Sequence, residues 1–218
     1  MPEFLFDKRV QRYRYASGPG KGQFIGRKAM QNLRQKLIAN VEADTEELAK
    51  LLKDKKINIR TWEKETLRSL KILHTQQFLL GRGGRYNLDE ADLGLLTDKI
   101  RAEATFLRGF AKSMKKGEVS EAQFDARLKM YLSSSRGSFE NGRSLSHRDA
   151  GWLWERRIRT KVESCFDCLS YAARGWQPIG TLPNPTELCS CRANCGCFKE
   201  YSKKLERPKD IQWLGSLD

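Results

Sequence analysis

The chain has few of the residues from which extracellular frameworks, membrane spans and hydrolytic sites are built. No cysteine precedes Cys165, and His74 and His147 are the only two histidines among 218 residues. The longest apolar runs are only a few residues, so we expect no membrane-spanning helix. The N-terminus lacks the basic segment and apolar run of a secretory signal. We therefore expect maturation in a reducing compartment, where clustered cysteines bind metal more often than they form disulfides.

All of the cysteines lie in one short C-terminal stretch, which is rich in loop-forming residues. They form a C-x-x-C pair followed by a C-x-C-x-x-x-C-x-C run: Cys165, Cys168, Cys189, Cys191, Cys195 and Cys197. Thiolates converging from two loops are typical of a structural, tetrahedral zinc site. Such a site would supply on the order of 10 kcal/mol to a segment too small to fold unaided. Disulfides in a mature extracellular particle, or free thiols, are the alternatives.

The chain is strongly basic, with 41 Lys and Arg against 27 Asp and Glu and a formal net charge of +14. This balance favours contact with nucleic acid or with an acidic protein surface, although a solvated basic surface would have the same composition. The positive charge is densest in the first thirty residues. Candidate contact residues for a partner or nucleic acid are Arg12, Arg14, Lys21 and, near the C-terminus, Trp213.

Patterning divides the chain into four parts. Residues 1–26 alternate at period two around a glycine-rich turn, which predicts an extended arm or β-hairpin. Residues 27–150 form a helical body. Residues 151–201 form a helix or connector followed by the cysteine module, and residues 202–218 form a C-terminal tail.

Apolar spacing predicts about four long helices in the helical body. They are expected over about 27–53, 61–80 and 89–116, and from Ser120 onward, where Ser-Glu-Ala-Gln fits a capping box. The apolar pattern fades after Ser135, and the spacing leaves open whether the helix continues to residue 150. The fold class is therefore mainly α, with an N-terminal β-hairpin or arm, the helical body and a small, zinc-bound, loop-rich, ribbon-like C-terminal module.

The expected zinc site does not have the composition of a catalytic one. Four protein thiolates leave no open position for a substrate or an activated water. The His-x-Glu pattern of zinc deaminases is absent from the sequence. We therefore expect no enzymatic activity. A zinc or thiol enzyme would be indicated by loss of activity when Cys165 is replaced and the fold is intact.

A series of short segments, in order along nearly the whole chain, carries a family resemblance. The most specific is the cysteine module, and the others are individually weak: Tyr13-Arg14-Tyr15 to Gly22-Gln23-Phe24-Ile25, Gly81-Arg82-Gly83-Gly84, Phe110-Ala111, Met130-Tyr131, His147 before Arg156-Arg157, Gly175-Trp176-Gln177-Pro178-Ile179-Gly180, Leu182-Pro183 and Tyr201. Together they resemble the tailed-bacteriophage minor head proteins of the Mu-type head morphogenesis family.

The resemblance implies a structural virion protein. It implies several copies in the phage head, bound to the capsid or portal protein, with possible contact to packaged DNA and residence in the host cytoplasm during assembly. A nucleic-acid-binding zinc-knuckle protein is the alternative. The family's C-x-x-C and C-x-C fall on four positions, with Cys191 as a substitute ligand: Cys165, Cys168, Cys195 and Cys197. The chain departs from the family in its additional C-x-C pair and in lacking a His-Pro before the closing pair.

Overall fold

The computed structural model of the protein describes residues 4–10, 12–160 and 163–204, so Trp213 and residues 205–218 of the expected tail lie outside the described residues. The chain begins with an antiparallel hairpin of β1 (Phe4–Asp7) and β2 (Arg12–Tyr15). The chain after β2 folds back as well, through single bridges from Arg14 to Phe24 and from Tyr15 to Lys21. The sequence predicted a hairpin between β2 and the segment that follows it. In the structure the main partner of β2 is the preceding strand β1.

Four long helices form the body of the protein: α1 (Arg27–Lys53), α2 (Ile59–Arg82), α3 (Glu90–Lys115) and α4 (Glu121–Asp149). Side chains of Asn58, Asp89 and Ser120 cap the N-termini of α2, α3 and α4, the last two as capping boxes. A fully buried core lies between the helices: Trp62, Leu70, Leu73 and Leu107. The predicted mainly α fold, with its hairpin and C-terminal cysteine region, is confirmed.

Helix α4 continues to Asp149, well beyond its predicted apolar face, because small residues take over the packing. A Cβ atom on Gly142 would lie 2.4 Å from the carbonyl oxygen of Phe78, and one on Gly81 would lie 2.2 Å from that of Phe139. Helices α2 and α4 therefore touch backbone to backbone, at a separation that excludes side chains. This close crossing joins the end of α2 to the second half of α4.

The glycine-rich stretch after α2 holds the N-terminal hairpin against the helices. Gly83 ends α2 in the left-handed conformation at φ 77°, as a glycine C-cap does. A Cβ there would lie 2.3 Å from the backbone nitrogen of Phe6, and one on Gly84 would lie 2.1 Å from the oxygen of Phe4. Arg82 is buried and donates to Asp92 and Asp149 at 2.7 and 2.8 Å. The glycine-rich stretch therefore packs the hairpin against the helices, and the guanidinium of Arg82 is already paired with carboxylates.

The C-terminal region contains a three-stranded antiparallel sheet in the order β4-β3-β5, together with one short helix. Its elements are β3 (Trp154–Ile158), α5 (Phe166–Ala173), β4 (Gln177–Pro178) and β5 (Phe198–Ser202). Two 3-10 helices complete the described structure, at Arg85–Asn87 and Arg192–Asn194. The expectation of a helix or connector after residue 150 is thus corrected, because this segment pairs as a strand with β5.

His147 joins the helical body to the C-terminal sheet. Its ring stacks on Tyr201 with centroids 4.1 Å apart, and its Nδ1 donates to the carbonyl of Arg143 at 2.7 Å. Burial and the nearby charge of Arg143 lower the pKa of His147 to about 3. Burial likewise lowers the pKa of His74 to about 3. Both histidines are therefore neutral packing residues.

None of the helices within the described ranges is long and apolar enough to cross a membrane.

Candidate metal centre

The start of α5 and the loop before β5 bring the cysteines into one cluster. Cys165 immediately precedes α5 and Cys168 lies in its first turn. The sulfur atoms of Cys168 and of three cysteines from the later run all lie within 4.8 Å of one another: Cys189, Cys191 and Cys195. The remaining two, Cys165 and Cys197, pack against this group. The two cysteine segments therefore converge, as their spacing predicts.

The distances between the sulfur atoms are those of neighbouring metal ligands. Cys168 lies 3.5 Å from Cys191 and 3.7 Å from Cys195, and Cys191 lies 3.4 Å from Cys165 and 3.5 Å from Cys189. A disulfide requires about 2.05 Å, and all six cysteines are free. Zinc–sulfur bonds of about 2.3 Å in a tetrahedron place sulfur atoms about 3.8 Å apart. The four separations given above are within a few tenths of an ångström of this value.

The four-sulfur group differs in part from the ligands that the family resemblance implies. It contains Cys168 and Cys195, and also Cys191, which was expected as a substitute. Cys189 takes a place that the sequence did not assign to it. Cys165 remains in contact with the group through Cys191. Which thiolates bind the ion stays a prediction, but all of the expected ligands belong to one cluster.

The thiols of the cluster differ widely in pKa. Burial raises the pKa of Cys168 to about 12. A hydrogen bond from Cys197 lowers the pKa of Cys195 to about 4, against the opposing effect of burial. Burial also acts to raise the pKa of Cys165, but backbone N–H groups of Cys168 and Cys191 donate to its sulfur, so that its pKa falls to about 7. A cation that binds here would displace the remaining protons, so its affinity should rise with pH.

Hydrogen bonds outside the cluster hold the two cysteine segments together. The Asp167 carboxylate, between the first two cysteines, accepts from the backbone N–H of Ser190 at 2.7 Å and from its hydroxyl. The hydroxyl of Tyr171 donates to the carbonyl of Leu188 at 2.7 Å. These bonds connect α5 directly to the loop that carries Cys189 and Cys191. Such partners orient metal ligands before the ion arrives.

A buried arginine from the sheet lies against the cluster. Arg157 of β3 places its Nη1 atom 4.0 Å from the sulfur of Cys195, and its Nη2 donates to the carbonyl of Pro183 at 2.5 Å. The Arg157 side chain is almost wholly inaccessible to solvent. Its positive charge partly compensates the negative charge of thiolates. Sequence reasoning missed this role of Arg157, because the role depends on the position of β3.

The predicted contact residues of the N-terminal arm are only partly available to a partner. Arg14 is engaged, since it donates to Asp7 at 2.8 Å and to the carbonyl of Gly22 at 2.7 Å. Arg12 and Arg14 also lie over the ring of Phe24, at 4.4 and 3.8 Å from its centroid. Lys21 and Arg12 are exposed.

A basic cleft of about 630 Å³ separates the arm, α1, α4 and the loop of the cysteine run. Four arginines line it: Arg12, Arg34, Arg136 and Arg143. Glu140 lies among them and pairs with Arg34 at 3.8 Å and with Arg143 at 3.5 Å. Glu200 also lines the cleft, so its four arginines face two carboxylates and the cleft keeps a positive excess. Comparison with known protein families, curated proteins and solved structures found no match to the chain.

Proposed function

We propose that the protein is a structural component of a tailed-phage head, which binds capsid or portal subunits and carries a structural zinc ion in its cysteine centre. The observation that supports the metal centre best is the convergence of protein sulfur atoms, four of them within 4.8 Å of one another. The resemblance of the chain to Mu-type minor head proteins supplies the phage context.

Zinc is the ion that suits this centre best. Thiolates are soft ligands, and an all-sulfur tetrahedron favours zinc over magnesium or calcium, which prefer oxygen. Protein sulfurs complete the coordination shell, so the ion would hold the fold together and would have no free position for chemistry. On this proposal the protein is not an enzyme, and the centre fixes the C-terminal module to the end of the helical body.

The module presents an apolar surface that a neighbouring subunit could cover. Phe166 and Leu169 lie three residues apart on α5, and their side chains are 80% and 42% exposed. Residues at this spacing share one face of a helix. Exposed apolar groups on a rigid element are typical of protein–protein contacts. We propose that the contact with the capsid or portal protein lies on this face of α5.

Purified phage particles are expected to contain the chain at a fixed number of copies per head. The double variant Phe166→Ser/Leu169→Ser should bind zinc normally but be lost from particles, because it removes the contact and leaves the cysteines intact. Quantitative mass spectrometry of purified heads measures both. Phe106→Ser, which replaces a 65% exposed residue on α3, is the matched control and should be incorporated. Absence of the wild-type chain from intact particles would reject the proposal.

The basic cleft favours a second candidate function, the binding of nucleic acid. Wild-type protein should then be retained on DNA at low salt, with an affinity that falls steeply as salt rises. Arg12→Ala and Lys21→Ala should each reduce the slope of log affinity against log salt by about 1, if each residue contacts one phosphate. The control is Lys64→Ala, which replaces an exposed lysine near the N-terminus of α2, at the end of this helix away from the hairpin. Lack of retention at low salt would exclude this function.

A further inference from the structure

We infer that the six cysteines bind two metal ions, with Cys168 and Cys191 bridging between them. This inference rests on the proposed zinc site and extends it from one ion to a two-metal cluster. Each ion would have four sulfur ligands, and the two tetrahedra would share one edge. Six thiolates suffice for two such ions when two of the thiolates are shared.

The first set of four ligands is the compact group already described. Its members are Cys168, Cys189, Cys191 and Cys195, all mutually within 4.8 Å. Three of them are buried, and Cys191 is half-buried. This set uses neither Cys165 nor Cys197, although both pack against it.

The second set surrounds a small separate cavity. A space of about 170 Å³ lies beside the first group, and four cysteines line it: Cys165, Cys168, Cys191 and Cys197. By the same measure, about 10–15 Å³ is enough for one water molecule, so the cavity has room for an ion. Two members belong also to the first set, namely Cys168 and Cys191. The cavity therefore identifies both a second position for an ion and the pair of sulfurs common to the two positions.

The distances agree with a bridging position for Cys191. Its sulfur lies 3.4 Å from Cys165, which belongs to the second set alone, and 3.5 Å from Cys189, which belongs to the first alone. It also lies 3.5 Å from Cys168, the other bridge. A sulfur on a shared edge must contact ligands of both ions, and Cys191 does so.

An arrangement in which Cys195 replaces Cys191 as the second bridge fits less well. Cys165 and Cys191 would then be terminal ligands of different ions. Terminal sulfurs of two edge-sharing tetrahedra point away from each other along the metal–metal axis. The separation of 3.4 Å between these two sulfurs favours a bridge at Cys191, whereas the hydrogen bond between Cys195 and Cys197 favours one at Cys195, so the sulfur contacts alone do not choose between the two arrangements. The second cavity decides between them, because Cys191 lines it and Cys195 does not.

Charge balance permits the second ion. One divalent ion with four thiolates carries a charge of −2, and two such ions with six thiolates carry the same charge. The second ion therefore adds metal–sulfur bonds without adding net charge to a partly buried site. Arg157, 4.0 Å from Cys195, offsets part of this charge in either case.

The number of ions bound by the full-length protein tests the inference. Protein folded with excess zinc and then freed of loosely bound metal is expected to contain two ions per chain by elemental analysis and native mass spectrometry. Cadmium NMR of the cadmium-loaded protein should show two resonances with scalar coupling between them, because bridging sulfurs connect the two nuclei. Cys197→Ser and Cys189→Ser should each lower the content from two ions to one, because each removes a ligand of one ion only.

The possible outcomes separate this inference from the proposed function. One ion in the wild-type chain would overturn the two-metal cluster and leave the single zinc site in place. No ion would overturn the zinc site and the cluster together. Two ions without coupling between their cadmium resonances would overturn the bridging arrangement. The wild-type measurements decide all of these, so the test does not depend on the folding of any variant.

Discussion

Replacing Cys168 with serine is expected to release the bound metal and to unfold the cysteine module, residues 164–201, while the four long helices stay folded. Cys168 is only 1% exposed and its sulfur contacts those of Cys191 and Cys195. A serine hydroxyl is a poor zinc ligand beside thiolates. The binding of a structural zinc ion contributes on the order of 10 kcal/mol to such a module, which is more than a small loop-rich core can replace.

Hydrogen exchange followed segment by segment measures the effect of Cys168→Ser. Protection should disappear in α5 and β5, whereas α2 and α4 should stay protected and the helical circular dichroism should change little. The control is Phe166→Ser, which introduces the same residue two positions earlier on the same helix, at a site 80% exposed. Removal of zinc from wild-type protein with a chelator should reproduce the pattern, and added zinc should reverse it. Unfolding of α1 to α4 together with the module would contradict this prediction.

The helical body could be predicted because local signals and tertiary packing agree there. Ser120 and Gln123 form the expected capping box at the start of α4, and Asp89 caps α3 where that helix was expected to begin. Apolar positions such as Leu70, Leu73 and Leu107 lie in the core as their spacing indicates. In these helices the caps and the apolar spacing indicate each turn locally, so one sequence is sufficient to predict them.

The second half of α4 and strand β3 escaped prediction for two different physical reasons. In α4, the contact with α2 requires Gly142, so the usual apolar periodicity is absent where the packing is tightest. In β3, the buried positions are occupied by Glu155 and Arg157, which reverses the usual pattern of apolar residues inside and polar residues outside. Their burial depends on partners that are distant in sequence, such as Lys199 for Glu155.

The cysteine centre, too, could be predicted from the sequence only in part. C-x-x-C and C-x-C spacing predicts that two segments converge, and they do. Spacing cannot rank six sulfurs, because their separations depend on how α5 lies against the later loop. Bonds such as that from Ser190 to Asp167 fix this arrangement. The place of Cys189 in the four-sulfur group therefore becomes visible only in three dimensions.

Replacing Lys199 with methionine is expected to destabilise the C-terminal sheet by about 3–5 kcal/mol, because it leaves a buried carboxylate without its partner. The Nζ of Lys199 lies 2.9 Å from Oε2 of Glu155, and both side chains are almost completely inaccessible to solvent. Glu155 also accepts from the backbone N–H of Leu182 at 2.8 Å, and Lys199 donates to the carbonyl of Leu182 at 2.5 Å. The pair thus connects β3 and β5 to the loop that precedes the cysteine run.

The double variant Glu155→Gln/Lys199→Met should recover more than half of the stability lost in Lys199→Met. Its glutamine removes the unpaired charge and keeps an oxygen that can accept from Leu182, and replacing both members of a buried pair often costs little. Denaturant unfolding gives the free energies, and metal release to a chelator reports on the module. Lys203→Met, at an exposed position near the end of β5, controls for the loss of a charge. If the single and double variants were equally unstable, the charge pairing would not be what holds this sheet together, and the cost would lie in the packing of Lys199 alone.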